Sequence, residues 1–223
     1  TVQLVCLAIA AACLAGAGAT LIIASRNADK LRAVVGEETA LGRRVHAEGF
    51  DQGDEASIAA LQARRRERFG VVHGLVNNSV LRPMIGANGS AAQFEESMRV
   101  NATGLMLMHR VFGSAMAEAG RGSIVNIGSI QGMIGPSYEL YEGTEIGDMP
   151  PDYFFHKGGM LNLTRFYAAL YGPRAVRVNC VSPGGFFNRQ PDAFVKRYCE
   201  HTMLNRMADS SDLGGAVGQG QCL

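Results

Sequence analysis

The sequence lacks an excess of charge of either sign: 21 Lys and Arg stand against 20 Asp and Glu, for a formal net charge of +1. A nucleic-acid binder concentrates basic residues along the phosphates, and this composition offers no such surplus. Cysteine is sparse and unpatterned. The five residues (Cys6, Cys13, Cys180, Cys199, Cys222) are odd in number and none stands in a Cys-x-x-Cys pair. That argues against a metal-ligand set or a disulfide framework and for reduced thiols in a cytoplasmic protein. Charge is missing altogether from residues 1–25, which raises the question of a membrane anchor or leader. No Lys or Arg precedes the run, Gly16 and Gly18 interrupt it, and Thr20–Ala24 is rich in β-branched residues. It therefore reads as a buried helix followed by a strand, with no membrane partner. Repeats, low-complexity segments and linkers are also absent, so 1–223 is expected to be one domain.

What the chain has is a large apolar share, 47%, laid out in short runs that alternate with helical stretches. The expected strands are Val2–Val5, Thr20–Ala24, Arg44–Ala47, Gly74–Val76, Ser123–Ile127 and Val176–Val181. Several are apolar throughout, as strands covered on both faces are. The expected helices are Leu7–Ala15, Asp29–Glu38, Glu55–Phe69, Phe94–Ala119 and Tyr153–Tyr171. In the third, Ile58 and Leu61 begin the buried stripe and Arg64-Arg65-Arg66-Glu67 form a solvated end. Alternation of this kind predicts an α/β fold: a doubly wound parallel sheet between two helical layers. Ligands of such sheets bind beyond the carboxyl ends of the strands. There the sequence places Ser25-Arg26, Asp51-Gln52, Asn77-Asn78-Ser79, Gly128-Ser129 and Ser182-Pro183-Gly184, a polar set with glycines among it.

Tyr153-Phe-Phe-His-Lys157 puts a phenol and an ammonium four residues apart, on one face of a helix. A free tyrosine titrates near pH 10, and a fixed cation nearby favours its phenolate. Such a phenol is suited to exchange a proton with a ketone or alcohol oxygen. Upstream, the strand Gly122–Ile127 leads to Ser129, whose hydroxyl could donate to the developing oxyanion. Asn101 sits inside an apolar helix, where its amide needs a partner.

Asn101, Ser129, Tyr153 and Lys157 stand in the order of the Asn–Ser–Tyr–Lys tetrad of the short-chain dehydrogenase/reductase family. Leu75-Val-Asn-Asn78 resembles the segment after that family's fourth strand, and Val176-Arg-Val-Asn-Cys-Val-Ser-Pro-Gly184 resembles its sixth strand and Pro-Gly turn. Asp51 stands where the family places an acidic residue against the adenine. The resemblance implies a Rossmann-like fold and hydride transfer between a nicotinamide cofactor and an alcohol/ketone pair. Tyr153 would be the acid/base. Ser129 would orient the substrate oxygen. Lys157 would act on the phenol and bind the nicotinamide ribose, and Asn101 would hold a relay water. The cofactor set it implies is Ser25, Arg26, Asp51, Gln52, Asn77, Asn78, Tyr153, Lys157, Pro183, Gly184 and Phe186. After the second strand comes Arg26, with no carboxylate to chelate ribose hydroxyls. A guanidinium suits a 2′-phosphate, so NADP(H) is expected ahead of NAD(H).

The chain departs from the family in four places. The glycine-rich phosphate loop is missing, since Val5 ends a strand and Cys6 begins a helix with no turn between them. Near the end, Asp212–Val217 starts like a helix but runs into Gly218–Leu223, which resembles the approach to a final strand. Discontinuities in the chain are expected at Val5–Cys6 and Val217–Gly218; the alternative is a catalytically inactive relative serving as a binding or structural subunit. Ser79-Val80 replaces the usual Ala-Gly. Residues 135–149 look like an insertion beside the site, with Tyr138, Glu139, Tyr141, Glu142, Glu145 and Asp148 and no Lys or Arg. It suits a sugar, sugar acid or other polyol, whereas Arg189 across the site suits a carboxylate. Four consecutive apolar residues, Leu105–Met108, surround their helix and call for a second partner. The family pairs this helix and Tyr153–Tyr171 with their copies, which implies a homodimer or homotetramer.

Overall fold

The computed structural model describes residues 11–147 and 149–221. The expected strand Val2–Val5 and the junction Val5–Cys6 lie outside the described residues. Five strands are described: β1 (Leu21–Ser25), β2 (Val45–Gly49), β3 (Gly74–Asn77), β4 (Gly122–Ile127) and β5 (Val176–Val181). β1 pairs with β2 in parallel, Leu21 opposite Val45. β3, β4 and β5 form a second parallel set in that order, with Gly74 opposite Ser123 and Gly122 opposite Val176. Parallel neighbours need long crossovers. These are α1 (Ala28–Ala40), α2 (Glu55–Phe69), the composite rod α3 over 91–118, and α4 (Pro151–Tyr171). A cleft of about 810 Å³ lies between β1 and β3 and reaches their carboxyl ends.

The apolar runs predict burial on both faces, and β4 has it. Ile124 packs against Met116, Tyr167 and Tyr171 on the side of α3 and α4. Val125 and Ile127 pack on the other side against Phe186, Leu213 and Val217. Two further helices close the chain: α5 (Asp192–Glu200) and α6 (Ser210–Gln221). The architecture is thus the expected three layers of an α/β fold. α6 corrects the reading of its own segment: Val217 and Gly218 sit inside one helix and not at the approach to a strand. Leu213 and Val217, one turn apart and buried against β4, supply the apolar stripe that carries the helix through its glycines.

Two other expectations change. Arg65 is not solvated but buried, its Nη2 2.6 Å from Glu48 Oε1. Leu105, Leu107 and Met108 are buried within the subunit itself. The outward apolar surface lies on α4 instead, where Phe155, Phe166 and Leu170 are exposed.

The rod α3 is not uniform. α-Helical turns over Ala91–Met98, Leu105–Met108 and Ser114–Glu118 are separated by π turns at Arg99–Gly104 and His109–Gly113. The first holds Asn101. A Cβ at Gly104 would lie 2.2 Å from the Gln52 backbone oxygen, so only glycine lets the β2–α2 loop meet the rod there. Gln52 Nε2 donates to Val100 O at 3.0 Å across the same contact.

Candidate active site

α4 begins with Pro151 in its first turn, a position that needs no backbone donor. Tyr153 and Lys157 follow one turn apart. Lys157 is buried, and its Nζ donates to Ile127 O at the end of β4, 2.5 Å away. The ammonium lies 5.7 Å from the Tyr153 ring centre. Ser129, two residues past β4, caps the short turn Ile130–Gly132, its Oγ accepting from the Gln131 N–H at 3.2 Å. That contact uses a lone pair and leaves the hydroxyl proton for another acceptor. The same turn presses on α4. A Cβ on Gly132 would lie 2.6 Å from Lys157 O.

A buried polar network fixes α4 to the sheet. Asn77 Nδ2 donates to Asn126 Oδ1 at 2.8 Å. Asn126 Nδ2 donates to Thr164 Oγ1 on α4 and to His109 Nε2 on α3, at 2.9 and 3.0 Å. His109 Nδ1 meets the Leu105 carbonyl at 2.9 Å. A carbonyl only accepts, so Nδ1 carries the proton; Nε2 accepts from Asn126 Nδ2 and carries none, so the ring is neutral. Burial pushes its pKa down, which agrees.

Asn101 clamps the loop after β3. Its Oδ1 accepts from Leu81 N at 2.8 Å, and its Nδ2 donates to Leu81 O at 2.7 Å and to Ser97 Oγ at 2.9 Å. Both amide protons are spent, and one oxygen lone pair is left for the expected relay water.

The expected cofactor set divides by what each residue does. Ser25, Arg26, Asp51, Gln52, Asn77 and Asn78 all line the cleft between β1 and β3. Arg26 is exposed there. Asp51 Oδ1 accepts from Gly53 N at 2.8 Å. The side chains of Gln52 and Asn77 are committed to the protein interior, as above. Pro183 O accepts from Ile130 N at 3.1 Å, joining the β5 turn to the Ser129 turn. A Cβ on Gly184 would come within 2.9 Å of the Tyr198 hydroxyl. Phe186 has its ring in the core beside Ile127. The polar residues at this end of the cleft suit the adenosine end of a dinucleotide; Tyr153, Lys157, Pro183, Gly184 and Phe186 are not among its lining residues. For the pyrophosphate, the sequence supplies no glycine loop.

Three residues that composition and spacing did not single out stand around Tyr153. The Arg82 guanidinium carbon lies 4.2 Å from the Tyr153 ring centre. His156 meets the ring edge-on at 5.2 Å between centroids. Burial, then Lys157 and Arg82, push its pKa down to about 3. Asp152 is buried one turn before it, and neither side chain has a hydrogen-bond partner. For Asp152 and His156 the advance signal was their place beside Tyr153 in the sequence; Arg82 is remote from it and had none. The insertion leans on α5: Leu140 packs with Phe194 and Met207, Glu139 lies 3.4 Å from His201, and Arg197 Nη1 donates to Glu142 O at 2.5 Å. Asp148 is outside the described residues. Among the described residues no His, Cys, Asp and Glu form a metal-sized cluster. No described helix is long and apolar enough to cross a membrane.

Residues 5–218 match the family model described as enoyl-(acyl carrier protein) reductase. The chain is 31% identical over 212 residues to galactitol 2-dehydrogenase (L-tagatose-forming) of Cereibacter sphaeroides, covering 91% of the chain and 78% of that protein. It is 35% identical over 146 residues to inactive 2-(S)-hydroxypropyl-CoM dehydrogenase 2 of Xanthobacter autotrophicus, covering 65% of the chain. The matches span only 58–64% of the length of three of the curated relatives. Among solved structures, a gluconate 5-dehydrogenase from Burkholderia cenocepacia, in complex with NADP and tartrate, superposes with a TM-score of 0.81. Its sequence is 25% identical, and the match covers 95% of this chain and 81% of that one.

Proposed function

The chain belongs to the short-chain dehydrogenase/reductase family, and on that premise we propose that it is an NADP(H)-dependent oxidoreductase interconverting an alcohol and a ketone. The observation that carries this reading is the pair on α4: Tyr153 beside a Lys157 that is buried against the end of β4, next to Ser129. When bound, the nicotinamide supplies or accepts the hydride. Tyr153 gives its phenolic proton to the carbonyl oxygen in reduction and takes it back in oxidation. Ser129, whose oxygen already serves Gln131, directs its O–H to the same substrate oxygen. Lys157, its Nζ on Ile127 O, lies beside the phenol ring and favours its phenolate. Arg26 at the cleft edge favours a 2′-phosphate, and so NADP(H). The gluconate 5-dehydrogenase structure in complex with NADP supports the cofactor, and the relative named galactitol 2-dehydrogenase supports a hydroxylated substrate. We read 1–223 as one catalytic domain with 135–149 inserted, its thiols suited to the cytoplasm. We read the exposed Phe155, Phe166 and Leu170 of α4 as the contact of a homodimer or larger assembly.

The test is cofactor turnover over a panel of ketones and alcohols, with Tyr153→Phe as the control. Loss of the phenolic proton should lower kcat at least ~10²-fold, with cofactor affinity retained. Equal turnover by the variant would remove Tyr153 as the proton donor. A second reading, a non-catalytic relative, draws on the missing phosphate loop and on the relative named inactive. It predicts no turnover over the whole panel.

A further inference from the structure

Arg82 is held by its neighbours rather than by its own side chain. On one side, both backbone groups of Leu81 are bonded to the buried Asn101 amide. On the other, Pro83 O accepts from Gln93 Nε2 at 2.9 Å, and Gln93 also closes the capping box with Ser90. Pro83 further restricts Arg82 to extended backbone. The stem therefore leaves a fixed point, and the guanidinium lies over the face of Tyr153, 4.2 Å from its centre. The ring quadrupole attracts a cation there. It does not satisfy the in-plane N–H donors, which form a fork matched to a carboxylate. Among the described residues none of the ion pairs involves Arg82, and the residue is exposed.

The insertion's acidic residues could have supplied the missing partner or repelled an anion. The Glu139 carboxylate is turned away, toward His201 just past α5. Beside the phenol stand the Arg82 guanidinium and the Lys157 ammonium, with the buried Asp152 carboxylate on the same helix and His156 neutral near pH 7.

Resting on the hydride-transfer reading of this site, we propose that Arg82 binds a carboxylate of the substrate, so that the reacting alcohol or ketone belongs to a hydroxy or oxo acid. The spacing limits the acid. A substrate oxygen in hydrogen-bond range of the phenol, at about 2.7–3.0 Å, and a carboxylate on the Arg82 fork leave room for only a short carbon spacer. Acids oxidised at the second or third carbon satisfy this, and long-chain acids with a remote ketone do not.

The test compares 2-oxo and 3-oxo acids with their own methyl esters, which keep the reacting carbon and remove the charge. The readout is the ratio of kcat/KM for acid over ester, with NADPH. The native protein should prefer the acids. Arg82→Gln should lower the ratio by about 10- to 100-fold, the worth of a charge-assisted hydrogen-bond pair. Arg82→Lys should keep part of the preference as a point charge. An unchanged ratio, or a parallel fall for acid and ester, overturns the proposal and leaves Arg82 acting on the phenol alone. Equilibrium binding of the corresponding hydroxy acids to NADP+-loaded Tyr153→Phe protein, with and without Arg82→Gln, separates the two levels. Arg82-dependent binding without turnover in the native protein keeps the carboxylate site and defeats hydride transfer. Tyr153-dependent turnover of ketones with no acid preference does the reverse. No binding of any acid overturns the carboxylate site.

Discussion

Acid should destabilise this protein through His156, and a single substitution isolates the effect. The imidazole is buried, both nitrogens lack a partner, and Lys157, Arg82 and the Tyr153 ring face it, with Asp152 one turn earlier on α4. Burial is the first cause of its low pKa and the two cations are the next. The folded value of about 3 is depressed from 6.5, so the unfolded chain takes the proton first. Stability from this group is therefore complete above about pH 6.5 and is lost as pH falls toward 3. At about 1.4 kcal/mol per unit, the linkage integrates to roughly 2 kcal/mol between pH 7 and pH 5. For a chain of this size that is about 4–8 °C in Tm. His156→Gln keeps a polar side chain and cannot titrate. Melts or urea titrations of both proteins across this range give a difference from which His109 and the carboxylates largely cancel. The native protein should lose about 2 kcal/mol relative to the variant. Parallel pH profiles would refute the buried neutral imidazole.

Gly132→Ala places a Cβ 2.6 Å from the Lys157 backbone oxygen; the turn must move off α4, and kcat should fall at least 10-fold while the fold survives, read by steady-state kinetics beside circular dichroism. Arg26→Asp replaces a phosphate partner with a repelling charge, so NADP(H) affinity should fall about 10²-fold and NAD(H) affinity far less; equal losses in binding titrations would clear Arg26 of that role. Phe166→Asp puts a charge on the exposed apolar face of α4. Sedimentation should show the native protein as a dimer at micromolar concentration and the variant as a monomer, and a monomeric native protein would end the assembly reading.

The layers of this fold were legible because they repeat. Each described strand falls within two residues of an apolar run, and α2 over Glu55–Phe69 follows its stripe of Ile58 and Leu61. The Tyr153–Lys157 pair was legible for a different reason: its spacing of four on a helix puts both side chains on one face, and the structure has the ammonium 5.7 Å from the ring centre. What escaped the sequence has neither property. The π turns of α3 depend on contacts from elsewhere, the β2–α2 loop at Gly104 and the Asn126 amide at His109. A period of 3.6 is blind to them. Arg65 carries the signature of a wet helix end and is buried only because Glu48 of β2 lies beside it.

Arg82 is the clearest case. Its own triplet, Leu81-Arg82-Pro83, says only that the backbone is extended. Its position over Tyr153 is set by residues remote in sequence: Asn101 grips Leu81 from twenty positions away, and Gln93 grips Pro83 from ten. Asn101 was read as a relay residue, and in the structure its side chain spends both protons on a neighbouring backbone and on Ser97. The consequence is that the catalytic motif and the specificity contact share one anchor. Loosening Asn101 would free the loop carrying Arg82 as well as any water at the π turn. Asn101→Asp is therefore expected to disturb substrate choice along with rate, because a carboxylate cannot donate to Leu81 O. A fall in kcat that is equal for acid and ester substrates would show that Asn101 serves the proton alone.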